Sequence, residues 1–310
     1  MAADLGASSS LEEGIALFLE YLHKERHCAP HTLQAYAHDL KQFVRFLYPR
    51  VRDLRLPLRA VQRQAVRAYL EDLQARGLKK SSVARKLAAL RSLFRYLCRQ
   101  GVLAANPASG VAAPRVERRR PPQLELEQVE QALALPALER FTGIRDRAIL
   151  EVFYGGGLRL GELVGLNLSS LDLEEGTLRL KGRAERLAPI GAPAVETLRA
   201  YLRRRAEVLL ELDIAQVDAG ALFLNGRGRR LSRRSVQHIV ERYLSQVAQG
   251  EGLSPHLLRH TFAAHLLDAG ADLVAVKELL GHAVLASTQV YTQVSLERLL
   301  RVYGQAHPRS

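Results

Sequence analysis

The chain has 310 residues, 47% of them apolar, which is enough for roughly two domains with real cores and excludes wholesale disorder. Its 45 lysines and arginines face 32 acidic residues, a formal net charge of +13, so a polyanionic partner has to be weighed against an ordinary basic surface. The two cysteines, Cys28 and Cys98, form no CxxC pair, which argues against a disulfide scaffold, a zinc finger or a redox motif.

Residues 11 to 112 read as a small helical bundle. "LEEGIALFLEYLHKER" carries a helical stripe of Leu11, Ile15, Phe18, Leu19 and Leu22, with Ser10 as its cap. "APHTLQAYAHDLKQFVRFLY" starts a second helix after Pro30. "RAVQRQAVRAYLEDLQARG" is a third, ended by Gly77. "KSSVARKLAALRSLFRYLCRQG" is a fourth, capped by Ser81 or Ser82 and stopped at Gly101. The stretch 113–122, "APRVERRRPP", has three prolines and four arginines and no apolar stripe, and reads as an extended basic linker.

Residues 123 to 310 are mixed. "ELEQVEQALAL", "GIRDRAILEVFYGGG", "AVETLRAYLRRRAEVLLEL" and "SRRSVQHIVERYLSQVA" read as helices, the last capped by Ser232. "LDLEEGTLRLKGRAERLAPI" reads as short strands, with Leu178 and Leu180 alternating against Arg179 and Lys181, and "ALFLN" as another strand. "HLLRHTFAAH" is a helix, and "SLERLLRVYGQA" closes the chain with Leu296, Leu299, Leu300 and Tyr303 on one face. The expected fold is mainly α with a small β-sheet in the C-terminal part. No apolar run is long enough to cross a bilayer, and "MAADLGASSSLEEG" lacks the pattern of a signal peptide, so a cytoplasmic protein is expected.

Taken singly, the polar motifs say little. The triplet in "YGGGLRLGEL" is followed by no Lys-Ser/Thr, so it is no phosphate-binding loop, and it reads as a tight turn that aims Arg159. His256 and His260 have a zinc-compatible spacing, but Leu257 stands where a zinc protease needs glutamate. His260 and His265 fit buried hydrogen-bonding histidines better than ligands. Weight comes from the ensemble of Arg159, Lys181, His256, Arg259, His282 and Tyr291, spaced by 22, 75, 3, 23 and 9 residues.

The strings "GLRLGEL", "LKGRAERLAPI", "HLLRHTFAAHLL", "LLGH" and "YT" resemble the motif series of the tyrosine recombinases, also called phage-integrase-type recombinases, over nearly the whole chain. Within that family the likeness is to the bacterial Xer subgroup, and to its XerC rather than its XerD branch. Gly156 and Gly161 stand where the family often has Ala or Thr and Ser, and Arg183-Ala184 replaces a common Asn-Lys. The resemblance implies a two-domain C-clamp. Residues 1–112 would be a SAM-like core-DNA-binding domain, 113–122 the linker, and 123–310 the catalytic domain, with a last helix that docks on a neighbouring protomer or packs within the chain. It implies Tyr291 as nucleophile, Arg159 and Arg259 as a clamp on the scissile phosphate, Lys181 as acid for the leaving 5′-oxygen, and His256 and His282 as phosphate-bonding, proton-transfer groups.

Such chemistry needs no metal, ATP or other cofactor, because two arginines neutralise the phosphate oxygens and a phosphotyrosyl bond conserves the energy of the broken strand. DNA contacts are expected from Lys80, Arg85, Lys86 and Arg91 on one helix, and from Arg233 and Arg234 in the first turn of another. The resemblance further implies a pseudo-palindromic DNA site, a XerD-type partner in a heterotetramer, a septal DNA translocase as regulator, and resolution of chromosome dimers. A mobile-element or plasmid integrase of the same chemistry, a DNA-binding protein without catalysis and a metal-dependent hydrolase are the rival readings.

Overall fold

The computed structural model describes residues 10–48, 57–58, 61–115, 123–181, 185–212, 217–250, 252–281 and 293–310, the last stretch with side chains from Glu297 onward. The chain divides into two compact units, Met1–Arg119 and Arg120–Ser310. Most of the expected linker, 116–122, lies outside the described residues.

The first unit is built from α1 (Leu11–Lys24), α2 (Pro30–Leu47), α3 (Arg63–Ala75) and α4 (Lys80–Arg99). The Ser10 hydroxyl accepts from the Glu13 amide at 3.2 Å, and the Glu13 carboxylate accepts from the Ser10 amide at 2.9 Å, so two amides left over at the start of α1 are satisfied reciprocally. The apolar stripes of the four helices meet in a core of Phe18, Leu40, Phe43, Tyr69, Leu87 and Phe94, with Phe43 set edge-on to Tyr69 at 5.1 Å. The start of α4 differs from expectation. Lys79 is its cap position, with no side-chain capping bond to the helix amides, and Ser81 and Ser82 lie inside the first turn. The Lys79 carbonyl already accepts from the Ser82 and Val83 amides, so neither serine is needed as a stop.

Two charged residues sit within these stripes. Lys86 lies between Val83 and Leu90 on the buried face of α4, and Asp39 lies beside Leu40 on that of α2. The Lys86 ammonium donates to Asp39 at 2.7 Å and to Gln42 at 2.6 Å, and Arg85 bonds the other Asp39 oxygen from the surface. Burying either charge without the other would be costly.

The second unit is mainly helical, with a three-stranded antiparallel sheet. Its elements are α5 (Leu126–Ala134), α6 (Phe141–Gly156), α7 (Leu160–Val164), β1 (Leu171–Asp172), β2 (Thr177–Leu180), β3 (Arg186–Pro189), α8 (Ala192–Leu210), α9 (Arg233–Val247), α10 (Pro255–Asp268), α11 (Leu273–Leu279) and α12 (Gln293–Ala306). Helix α6 is buried along most of its length, as a helix at the centre of a core must be. Its inward charges are all answered: Asp146 by Arg145 and Arg242, each at 2.7 Å, and Glu151 by Arg309 at 2.7 Å. The helix runs through Gly155 and Gly156 and ends at Gly157, whose φ of +57° is left-handed and whose Cβ, if present, would lie 2.5 Å from the Phe262 ring.

β2 pairs with β1 and β3 in one meander, with Leu171 opposite Leu178 and Leu180 opposite Arg186. "ALFLN" is not a strand. It makes isolated bridges at Asn167–Ala221 and Leu224–Arg230. Side chains supply much of what a ladder would have supplied: the Tyr201 hydroxyl takes the Leu224 amide at 3.0 Å and donates to the Leu222 carbonyl at 3.1 Å, and Arg205 donates to the carbonyls of Ala219 and Ala221. Two short helices, α7 and α11, have too few residues to show periodicity in the sequence, although Asp272 caps α11 by accepting from the Ala275 amide at 3.2 Å. On α12, Leu299 and Tyr303 are buried in a core shared with Phe262, Leu266 and Leu279, so packing within the chain accounts for this part of the stripe.

Asp39→Ala should destabilise the first unit by about 3–5 kcal/mol, because it leaves the Lys86 ammonium buried and uncompensated. Urea denaturation would read the loss, and adding Lys86→Met should restore most of it.

Candidate active site

The turn after Gly157 delivers Arg159 to the cap position of α7. Its backbone amide donates to Glu162 at 2.7 Å, and its guanidinium to the other Glu162 oxygen at 2.9 Å and to the Gly281 carbonyl at 3.1 Å. Its side chain keeps 41% of its surface exposed. Arg259, in the second turn of α10, is only 9% exposed. It donates to the carbonyls of Gly157 and Leu280, and its guanidinium stands 3.9 Å from Glu162. Two arginines far apart in the sequence therefore converge on one carboxylate.

A third arginine joins them. Arg186, the first residue of β3, is buried, donates to Glu162 at 3.0 Å, and bonds the Leu279 carbonyl. Burial pushes Arg259 down from the usual arginine range to about 10, with the charges of Arg159 and Arg186 adding to it, so it stays charged at neutral pH. Burial alone would raise the Glu162 carboxyl. The Arg186 charge, the Arg159 amide bond and the bonds from both side chains overrule it and hold Glu162 below its ordinary value.

The remaining expected site residues are placed as follows. Lys181 is exposed and directly follows β2. His256 is exposed in the first turn of α10, one turn before Arg259. His282 and Tyr291 lie outside the described residues, and α12 begins two residues after Tyr291. His265 is a hydrogen-bonding histidine, as the pattern allowed. Its Nε2 meets the Leu124 carbonyl at 2.9 Å, which can only accept, so Nδ1 is left to accept from the Tyr154 hydroxyl at 2.9 Å. His260 is half-buried, and its side chain makes no hydrogen bond among the described residues. Among the described residues no group of His, Cys, Asp and Glu could hold a metal ion.

Of the expected DNA contacts, Lys80 is exposed at the start of α4, and Arg233 and Arg234 are exposed in the first turn of α9. The Arg233 guanidinium reaches to where a Cβ on Gly161 would lie 3.3 Å away, so the glycine that departs from the family pattern leaves it room. Arg85 is exposed but paired with Asp39. One expectation is corrected: Lys86 is buried against Asp39, out of reach of a duplex. Arg91 is half-exposed and donates to the Val111 and Ala108 carbonyls, where it ties down the segment after α4.

Sequence reasoning missed Glu162 and Arg186. Glu162 stands three residues after Arg159, a spacing that reads as a surface ion pair. Arg186 sits beside another arginine, Arg183, in "GRAERL", and only its register opposite inward-facing Leu180 marks it as buried.

Comparison with known proteins gives the family. Residues 122–298 match the model of the phage integrase family, and residues 15–101 match its N-terminal SAM-like domain. The chain belongs to the phage integrase family and is a site-specific tyrosine recombinase. It is 44% identical to the tyrosine recombinase XerC of Pelobacter propionicus over 97% of each chain. It is 42% identical to that of Pelotomaculum thermopropionicum over 94% of this chain and 97% of the relative. Among solved structures, its fold is shared by a XerH site-specific recombinase bound to a palindromic difH substrate, with a TM-score of 0.66 and 23% identity over 93% of this chain and 83% of that one. The Tn1549 transposon integrase in complex with transposon right-end DNA also shares it, with a TM-score of 0.68 and 17% identity over 94% and 98%. No helix among the described residues is long and apolar enough to cross a membrane.

The lowered Glu162 carboxyl contributes stability that is present above its unfolded-state value and is lost as pH falls through its folded-state value. Melting temperatures measured from neutral to acid pH should therefore drop for the wild type, and Glu162→Gln should start lower at neutral pH and flatten the drop.

Proposed function

We propose that Tyr291 attacks a scissile DNA phosphate held between Arg159 and Arg259, while Lys181 protonates the departing 5′-oxygen and His256 and His282 bond the phosphate and take up the tyrosine proton. The observation that carries this reading is the convergence of Arg159 and Arg259 on Glu162, beside the backbone that leads into His282. A phosphodiester gains charge on its non-bridging oxygens in the transition state, and two fixed guanidinium forks answer it. A free tyrosine has a pKa of about 10, so roughly one in a thousand is ionised at pH 7, and nearby cations raise that share. The P–O bond to the 5′-oxygen breaks as the P–O bond to Tyr291 forms. A 5′-hydroxyl from another strand reverses the exchange, so no net bond energy is lost.

The first unit is the part proposed to hold the core of the DNA site, with Lys80 and Arg85 facing the backbone, and the second unit places Arg233 and Arg234 in a major groove. The extensive likeness to XerC proteins supports a role in resolving chromosome dimers in the cytoplasm. That role includes a XerD-type partner on a short pseudo-palindromic chromosomal site, with a septal DNA translocase as regulator.

A nicked duplex carrying a candidate site from the source chromosome tests the chemistry. Incubated in EDTA, the wild type should yield a covalent protein–DNA adduct on a denaturing gel and Tyr291→Phe none. Arg159→Ala or Arg259→Ala should slow adduct formation on the order of 10²–10³-fold. Specific binding without any adduct, even with a XerD-type partner added, would leave a binding protein instead of a recombinase.

A further inference from the structure

Three consecutive carbonyls at the end of α11 each accept from a different arginine: Leu279 from Arg186, Leu280 from Arg259, and Gly281 from Arg159. Arg259 and Arg159 already have a place in the proposed phosphate clamp. Arg186 does not. It is only 4% exposed, with one terminal nitrogen on the Leu279 carbonyl and the other on the Glu162 carboxylate. Gly281 packs directly against it, since a Cβ there would lie 2.6 Å from the Arg186 Cδ and 2.8 Å from its Nε.

That one side chain joins three segments. It starts β3 opposite Leu180, the residue before Lys181. It holds the carboxylate that in turn orients Arg159. It also bonds the end of α11, three residues before His282 in sequence. We propose that Arg186 is a positioning residue of the recombination reaction, setting the Arg159 guanidinium through Glu162 and the backbone leading into His282 through the Leu279 carbonyl. The proposal rests on the reading that Arg159, Arg259 and His282 act on the phosphate.

Chemistry favours this over a role in folding alone. An apolar side chain of similar volume would fill the space without the cost of burying a guanidinium. A lysine offers one nitrogen, while the planar fork bonds a carboxylate and a carbonyl in two fixed directions at once. Its charge also opposes those of Arg159 and Arg259, which a purely structural choice would avoid.

The full-length wild type, Arg186→Met, Arg186→Lys and Tyr291→Phe would be compared on the same nicked duplex. DNA affinity would be read by anisotropy, and the rate and amplitude of adduct formation at saturating DNA by quenched-flow sampling. Affinity should be unchanged in both Arg186 variants. The rate should fall about 10²-fold in Arg186→Met, as for a misplaced reacting group, and less in Arg186→Lys. Arg186→Lys keeps the charge and remains the test where the neutral variant fails to fold. A lower amplitude with an unchanged rate would mark a role in folding only and overturn the proposal, as would folded variants that cleave at the wild-type rate. Those results leave wild-type adducts intact, whereas a wild type that binds but forms none removes the clamp reading and the positioning role with it.

Discussion

The carboxylate of Glu162, enclosed by Arg159, Arg186 and Arg259, is the interaction on which the rest of the site depends. Two unit charges 4 Å apart attract by about 4 kcal/mol at an effective dielectric of about 20, several times the net worth of about 1 kcal/mol of an ordinary hydrogen bond. Three guanidinium groups gathered in one place would repel by amounts of the same order. One carboxylate offsets part of that and leaves two positive charges unbalanced, so the cluster stays attractive to an anion while remaining compatible with folding. This is also why Glu162 must stay ionised: a protonated acid there would leave three cations with only neutral carbonyls between them.

Those carbonyls are not incidental. The last turn of a helix carries unpaired C=O groups and the negative end of its dipole, and cations near it are stabilised. Helix α11 is short, and the carbonyls of its last residue, Leu279, and of the next two, Leu280 and Gly281, accept from arginines on β3, on α10 and at the cap of α7. Gly281 makes this possible, because at φ +61° it turns the chain in a conformation that a side chain would strain, and it leaves no Cβ to displace Arg186. The helix end and the arginines therefore fix each other.

Much of this was legible in the sequence because it repeats along the chain. The stripes of α1 to α4 and of α9 follow the helical period, and the caps at Ser10 and Ser232 have the residue types that capping requires. What was misread came from judging basic residues by their charge and not by their place in a stripe. Lys86 falls at the third position after Val83 and the fourth before Leu90, squarely on the apolar face, and Asp39 falls beside Leu40 in the same way. Two opposite charges, each facing inward on neighbouring helices, are a signal that they meet. "ALFLN" looked like a strand because its composition is that of one. Its backbone is instead held by Tyr201, Arg205 and Arg145, and side chains arriving from distant helices leave no local mark in the segment they satisfy.

The two arginines of the proposed clamp differ in a way that bears on how a phosphate would be received. Arg259 is nearly enclosed, and two of its bonds go to backbone carbonyls. Arg159 is two-fifths exposed and extends from the cap position of a short helix. A guanidinium has five donors, so neither must surrender its present partners to bond a phosphate oxygen. In the proposed clamp the enclosed arginine is a fixed point whose charge is little screened by water, and the exposed one is the edge that a backbone phosphate would meet first. Arg186 is buried, with one terminal nitrogen on the Leu279 carbonyl and the other on the Glu162 carboxylate, and its charge adds to the field that Glu162 tempers. Preorganisation in this site therefore lies less in any single donor than in a set of buried bonds that hold two guanidinium groups at one spacing before the DNA arrives.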